Sequence, residues 1–446
     1  MYSMRDKSKH SVNPRIIIHG GAGNINRDNL SPDAYNEYRS ALLSILRDSR
    51  GRLSQSGATA LDTATHAVTL LENNGLFNSG HGAVFTREET HELEASVMVS
   101  RGYRKRGVGV MNVRRVKNPI LLAKEMLEKG EEQDGGGAQS HCQLEGETCD
   151  RLAESWGLEM VAPDYFWTKR RWDEHRRALG KSTDRSTYEK HRDASNYWKC
   201  TEPTQCEACR SNGIDSMHDA NDPSWSGSEY LSQGTVGCVV LDISGTICVA
   251  TSTGGITNKL PGRIGDTPTM GAGFWAEEWH ATGRPAQGAS FTPNSSPMGS
   301  FINACMPFFS TYVPLLQNDP ERQPEESTHH IRAVGMSGTG NGDSFLRLDA
   351  VRTAAAMARF SSTSDVSVGC APLQPAVTAV AGPYGMLQQS AEDRWHKTGE
   401  GEGGLIGIDF SGGKGTIVAD FNCGGMFRVW IDDDGQERMM VLREKY

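Results

Sequence analysis

Two apolar runs, Val236–Leu241 and Ile247–Ala250, flank the short turn Asp242-Ile243-Ser244-Gly245. β-Branched runs separated by a Gly-containing turn specify a β-hairpin, because branched side chains suit a pleated strand and glycine supplies the turn angles. No other stretch constrains the chain as much, since reactive residue types stand at both free ends of this hairpin. One strand opens on Gly234-Thr235. The other runs out into Thr251-Ser252-Thr253-Gly254-Gly255, and Arg263 and Asp266 follow at a spacing of three. Taken alone, Gly234-Thr235 marks only the start of a strand. An Arg and an Asp three apart commonly form a surface pair.

The chemistry open to Thr235 is specific. A threonine hydroxyl within a chain is a poor nucleophile, because nothing beside it takes its proton. Cutting the bond after Gly234 would give Thr235 a free α-amine with a pKa near ~8. That amine can accept the hydroxyl proton directly or through a water, so one residue becomes both nucleophile and base. Glycine ahead of the threonine tolerates strained backbone angles, and strain there is expected to favour attack by the Thr235 hydroxyl on the Gly234 carbonyl.

The run ATSTGGITNKLPGRIGDTP, residues 250–268, resembles the plant-type asparaginase and isoaspartyl-peptidase family of N-terminal-nucleophile hydrolases. Related motifs recur along the chain: HGGAG at His19–Gly23, LFNSGHGAVFTREETHELEASVM at Leu76–Met98, SGTGNGDSFLR at Ser337–Arg347 and FNCGGMFR at Phe421–Arg428. The resemblance implies an α+β fold, a four-layer αββα sandwich, cleaved into an α chain of residues 1–234 and a β chain of residues 235–446. It implies hydrolysis of asparagine or β-aspartyl peptides, and a homodimer of cleaved protomers. By position, Thr253 would donate to the Thr235 hydroxyl, and Asn78 would help hold Thr235 and its water. Arg263 would take the substrate α-carboxylate in a bidentate pair. Asp266 would take its α-ammonium. Thr339 and the backbone N–H of Gly340 would form the oxyanion hole. Gly342 would let substrate approach the backbone closely. Backbone carbonyls of Leu71, Glu72, Asn74, Phe77, Ser79 and His81 would wrap a monovalent cation, sodium, that rigidifies their loop. No organic cofactor is implied.

Bulk properties agree with such a protein. A chain of 446 residues supports one or two domains with a sizeable core. A net charge of −9 argues against general binding to nucleic acid or acidic membranes. The first 20 residues are polar and basic, so no secretory signal is read there, and no apolar run reaches the ~20 residues of a membrane helix. With ten cysteines and no secretory signal, reduced thiols in the cytosol or nucleus are expected.

In chain order, Arg15–His19 reads as a strand and Gly20–Gly23 as a tight turn. Helices are expected from Ser31, as N-cap ahead of Pro32, to Arg50, and from about Thr59 to Glu72. Phe85–Val99 reads as strand, turn, strand. Arg101–Lys117 is dense in Arg and Lys; solvated strands and a loop are the expected reading, with a nucleic-acid patch as the alternative. Asn118–Leu127, a helix in His141–Ser155 and an amphipathic helix over Tyr165–Leu179 follow, the last being the final helix before the cut. Residues 180–233 are polar and read as a mobile linker. Within it, Cys200, Cys206 and Cys209, with His191 and His218 nearby, carry a zinc-like Cys-x-x-Cys, but irregular spacing favours free thiols. Past the site, Ile331–Met336 reads as a strand, Leu348–Arg359 as a helix, and Gly404–Phe410 with Thr416–Phe421 as a hairpin. Between them an insertion of about residues 279–330 could cap the pocket or bind a partner.

Two further readings stand beside the hydrolase. A protease resembling threonine aspartase would cut after aspartate inside proteins and would need no acid at position 266. A scaffold or nucleic-acid-binding protein would use the basic stretch and the insertion.

Overall fold

The computed structural model describes residues 12–197, 234–281, 330–361 and 371–444. Strand β1 (Arg15–Gly23) is followed by helices α1 (Pro32–Leu53) and α2 (Ala60–Glu72). The Ser31 and Thr59 hydroxyls accept from backbone N–H groups of the first turns, so both helices start where capping chemistry puts them. Strands β2 (Leu93–Val99) and β3 (Gly107–Val113), helix α3 (Pro119–Glu128), the short strand β4 (Gln143–Glu145) and helix α4 (Gly146–Ser155) come next. Helices α5 (Lys169–Ala178) and α6 (Arg185–Tyr197) precede the hairpin β5 (Val236–Leu241) and β6 (Ile247–Thr253). The remainder holds β7 (Phe274–Ala281), β8 (His330–Gly340), α7 (Gly342–Leu348), α8 (Ala350–Phe360), α9 (Leu373–Ala381), α10 (Met386–Ser390), β9 (Gly403–Ser411), β10 (Lys414–Phe421), β11 (Gly425–Ile431) and β12 (Glu437–Met440).

The result is a mixed α+β fold with two sheets. The larger has the order β12-β11-β1-β5-β6-β2-β3-β4 and the smaller β10-β9-β8-β7. An apolar cluster joins them, with Ile17, Val239 and Val249 from the larger sheet against Phe274, Ala333 and Ile408 from the smaller. A second cluster packs α1, α2 and α3 on the larger sheet through Leu42, Leu46, Val68 and Ile120. A third packs α8 and α9 on the smaller sheet through Val351, Ala355 and Val377. Strands β5, β6 and β2 are buried at every residue, which is why their sequences are apolar runs with small or hydroxyl residues and few charges. Among the described residues no helix is long and apolar enough to cross a membrane.

Several expectations change. Gly20–Gly23 is not a turn; β1 continues through it, with a bulge between His19 and Gly21. The strand expected at Phe85 is a single bridge between Thr86 and Lys259. The helix expected over Leu348–Arg359 is α8, starting two residues later at Ala350, after Asp349, whose φ of +49° parts it from α7. The basic stretch keeps its expected exposed loop, with Arg104 and Arg114 open to solvent, but β3 itself is fully buried, and Arg101, Arg104, Arg114 and Lys117 each pair with a glutamate. α5 is not the last helix ahead of Thr235. The first part of the expected linker forms α6, whose Tyr188 packs with Phe85, Trp167 and Trp172. His191, on α6, meets Glu89 at 2.6 Å. Cys200, Cys206, Cys209 and His218 lie outside the described residues, as does the insertion apart from its ends. Those ends are strand: Ala281 pairs with His330, so the insertion joins β7 to β8. It leaves the sheet seven residues from Ser337, roughly 23 Å at strand spacing.

The two sheets touch closely at Gly335, where an added Cβ would lie 2.3 Å from Ile247 Cγ2. Gly335→Ala is therefore expected to wedge the sheets apart and cost about 1–3 kcal/mol. A lowered urea midpoint with an unchanged slope checks this.

Candidate active site

Strand register assembles the site. Val236 pairs with Ser252, and Thr253 pairs with Glu94, so Thr235, Thr253 and Glu94 stand at one end of the neighbouring strands β5, β6 and β2. A small open cleft lies there. It is lined by Thr235, Thr253, Arg263, Asp266, Gly340 and Gly342, all expected, and by Glu94, Gly255 and Ile256. Residues more than a hundred positions apart thus meet in one cavity.

Thr235 is buried, and its hydroxyl lies 2.9 Å from the Thr267 hydroxyl. This differs from the expected bond to Thr253, whose hydroxyl instead accepts from the Gly255 N–H at 3.0 Å. Thr267 is itself fixed, because the Ser96 hydroxyl donates to its carbonyl at 2.6 Å. Space requires glycine at 234. A Cβ at 234 would lie 2.4 Å from both the Ala22 nitrogen and the Thr339 hydroxyl. That hydroxyl accepts from the Ala22 N–H at 3.1 Å, which leaves its own proton available to donate.

His19, in β1, lies directly across from Gly237 of β5. Its Nε2 is 2.7 Å from the Ser337 hydroxyl of β8, so the pair ties the two sheets together beside Thr235. Burial pushes the imidazole down to about 3, with the Thr235 backbone opposing, so His19 is a neutral brace and not a cation. Asn78 also braces. Its amide donates to the Gly255 carbonyl at 2.8 Å, and its oxygen accepts from the Val84 N–H at 3.0 Å.

The charged end of the cleft holds Arg263 and Asp266. Arg263 donates from Nη2 to the exposed Asp343 carboxylate at 3.0 Å. Burial lifts the Asp266 carboxyl to about 7, opposed by the charge of Arg263 and assisted by that of Glu94. Its Oδ2 is buried without a hydrogen-bond partner. Gly342 makes room for this pair, since a Cβ there would lie 2.5 Å from Asp266 Oδ1 and 3.0 Å from Arg263 Nη2. Sequence reasoning missed Thr267, His19, Ser337 and Glu94 as site residues. Each sits inside a motif already singled out, but only the register reveals that they converge.

The loop Leu71–His81 closes on itself. The Glu72 carbonyl accepts from the His81 N–H at 2.7 Å, and the Phe77 and Gly75 carbonyls crowd Gly82, 2.4 Å and 2.7 Å from where a Cβ would lie. The Ser79 hydroxyl is buried without a partner. Neutral oxygens gathered in a tight loop, with an unsatisfied hydroxyl among them, fit a hard monovalent cation. Glu72 keeps its carboxyl elsewhere, accepting from the Ser252 hydroxyl at 2.7 Å and the Ile120 N–H at 3.0 Å, and burial raises it to about 8. Arg171 of α5 supports the loop from outside, donating to the Gly82 and Leu76 carbonyls at 2.7 Å and 3.2 Å.

A hydroxyl after glycine, a donor hydroxyl against the preceding residue, and an arginine beside a buried aspartate fit a hydrolase site of the N-terminal-nucleophile kind. Comparison with known proteins agrees. A family described as Asparaginase matches residues 12–288. The isoaspartyl peptidase of Escherichia coli is 30% identical over 430 residues, 96% of this chain and 96% of that protein. The isoaspartyl peptidase of Salmonella typhimurium is 29% identical over 415 residues, 93% of this chain and 94% of its own. The isoaspartyl peptidase/L-asparaginase of Bos taurus is 30% identical over 266 residues, 60% of this chain and 68% of its own. The chain belongs to this asparaginase family.

Asp266 can hold an ammonium only when ionised, and its carboxyl titrates at about 7. kcat/KM for a substrate with a free α-amine should therefore rise as pH rises through about 7, since kcat/KM reports groups of the free enzyme. A pH–rate profile checks this; Asp266→Asn should remove the contribution near 7 and leave the rise set by the Thr235 α-amine near ~8.

Proposed function

We propose that the chain cuts itself between Gly234 and Thr235, and that the freed Thr235 hydrolyses the side-chain amide of asparagine or the isopeptide bond of β-aspartyl peptides. The observation that carries this reading is one cleft holding Thr235 together with Arg263 and the buried Asp266. That set of groups suits a small amino acid with carboxylate and ammonium at one end and a carbonyl at the other.

In this reading the Thr235 hydroxyl attacks the substrate carbonyl while its own α-amine takes the proton. The Thr339 hydroxyl and the Gly340 N–H receive the resulting oxyanion. Collapse of the intermediate breaks the C–N bond, and the α-ammonium returns the proton to the departing ammonia or amine. Water then attacks the aspartyl ester, the amine again taking the proton, and aspartate leaves with Thr235 restored. Arg263 takes the α-carboxylate and Asp266 the α-ammonium. The threonine-aspartase reading is weaker, because a buried anion at 266 has no partner when the aspartate amine is tied up in a peptide bond.

The wider expectations go with this reading. The two sheets and their helical coverings form a four-layer αββα sandwich, and cleaved protomers pair as a homodimer. A sodium ion held by carbonyls of Leu71, Glu72, Asn74, Phe77, Ser79 and His81 stiffens the loop that carries Asn78. The free thiols among the described residues suit a cytosolic or nuclear protein.

Mass spectrometry of the purified protein should find one piece ending at Gly234 and one beginning at Thr235. Thr235→Ala should leave a single intact chain with no turnover; turnover by an intact chain would sink the mechanism. Arg263→Ala should raise KM by about tenfold or more with a smaller change in kcat, as loss of a bidentate ion pair to bound substrate implies. Steady-state kinetics on asparagine and on β-aspartyl dipeptides measures this and ranks the two substrate classes.

A further inference from the structure

Glu94 lines the cleft and has no part in the mechanism above. It is fully buried on β2, directly across from Thr253 on β6, so its side chain and that of Thr253 share one face of the sheet. Its Oε1 accepts from the Gly265 N–H at 2.9 Å. This holds the backbone between Arg263 and Asp266. Its Oε2 is buried with no hydrogen-bond partner. A Cβ on Gly265 would lie 3.1 Å from that oxygen and 2.8 Å from Arg263 Nη1, so the carboxylate and the guanidinium flank the same point.

A buried carboxylate oxygen without a donor is costly, and native proteins rarely keep one without a use. Here there are two at one end of one cleft, Glu94 Oε2 and Asp266 Oδ2. The nearby cations are otherwise engaged. Arg263 donates to Asp343, and Lys259 donates to the Glu92 carbonyl at 2.7 Å. Glu92 in turn accepts from the Gly262 N–H and from Arg114. What the two orphaned oxygens lack is a compact cation with several donors, and a primary ammonium has three.

We infer that Glu94 is a second carboxylate for the substrate α-ammonium, acting with Asp266, and that the pair confines the site to aspartyl groups with a free amino terminus. The inference rests on the proposed hydrolase reading and deepens it. Each acid supplies one acceptor, and Arg263 takes the carboxylate on the same substrate carbon. An acylated or peptide-bonded nitrogen brings one donor at most and no charge, leaving both acids buried and unpaired. Discrimination against such nitrogens is then set by two groups and not one.

Titration calorimetry on the full chain tests this without requiring turnover, with L-aspartate and N-acetyl-L-aspartate as probes. The unaltered protein should bind L-aspartate more tightly than its acetylated form. Glu94→Gln keeps an oxygen for Gly265 but loses the charge. It should weaken L-aspartate binding by about tenfold, the size of one charge-assisted hydrogen bond, and leave N-acetyl-L-aspartate unchanged. The acid limb of L-aspartate binding should also move to lower pH, because Glu94 is one of the charges facing Asp266, with Arg263 and Asp343. A purely structural brace would not move that limb. Glu94→Asp, which keeps the charge, should retain the preference for the free amine. A tenfold narrowing of the preference in both variants, or in neither, overturns the proposal, as does an unaltered protein that binds the two probes alike. Failure of the hydrolase reading looks different: L-aspartate binds with the expected preference, but no β-aspartyl amide is cleaved.

Discussion

The site depends on the register between β5 and β6. Side chains alternate along a strand, so a slip of one residue would turn Thr235 and Thr253 to the wrong face and dismantle the cleft. Both strands are buried on both faces, so the hydrophobic pattern alone does not fix that register strongly. The turn does. Asp242 Oδ1 accepts from the Ser244 and Thr246 N–H groups, which closes the hairpin at a fixed length. Its Oδ2 accepts from the Ala60 N–H at 2.9 Å, which ties the turn to the first residue of α2. One carboxylate thus sets the hairpin and docks it on the helix that leads into the Leu71–His81 loop. The far end of the hairpin, where Thr235 stands, inherits its position from this end.

A second constraint acts where the sheets meet. Near the site the facing residues are glycines and hydroxyls, not the branched apolar residues found further along. Gly237 leaves room for the His19–Ser337 pair, since a Cβ there would lie 2.5 Å from His19 Nε2 and 2.3 Å from Ser337 Oγ. Gly234 leaves room for Thr339 in the same way. The close approach that brings Thr339 to Gly234 thus requires the absence of side chains. Burial keeps His19 neutral, so this polar seam holds the sheets together without placing a competing charge next to Thr235.

Much of this was legible in the chain. Thr235, Arg263, Asp266, Gly340 and Gly342 were named from one hairpin and two short motifs, and all of them line the cleft. Ser31 and Thr59 announced their helices because capping is a local interaction. What stayed hidden was set by neighbours distant in sequence. Thr267 follows Asp266 directly, yet its contact with Thr235 is visible only once the fold brings the two hydroxyls within 2.9 Å. Glu94 lies inside a motif that matched as a block, but its role depends on the pairing of β2 with β6. α6 was read as linker because its sequence is polar. Its few aromatics suffice to pack because Phe85, Trp167 and Trp172 are already gathered beneath it. Polarity of a segment predicts disorder only when nothing nearby offers it a surface.

The state of Arg263 shows how such a site can wait for substrate. Asp343 stands just past Gly342, is 55% exposed, and holds Arg263 from the solvent side. An ion pair with one exposed partner contributes little, about 0–1 kcal/mol. Replacing Asp343 with a substrate carboxylate therefore costs Arg263 little, and Asp343 returns to water. Asp266, with no such outer partner, carries the full cost of burial, and that cost is what raises its carboxyl to about 7. The two ends of the charge pair are thus prepared in opposite ways: the cation has a weak and replaceable partner, and the anion is left short of one. Under the proposed function, a bound zwitterion would relieve the second condition while barely disturbing the first, so the anion end, more than Arg263, would set which amino acids the cleft accepts.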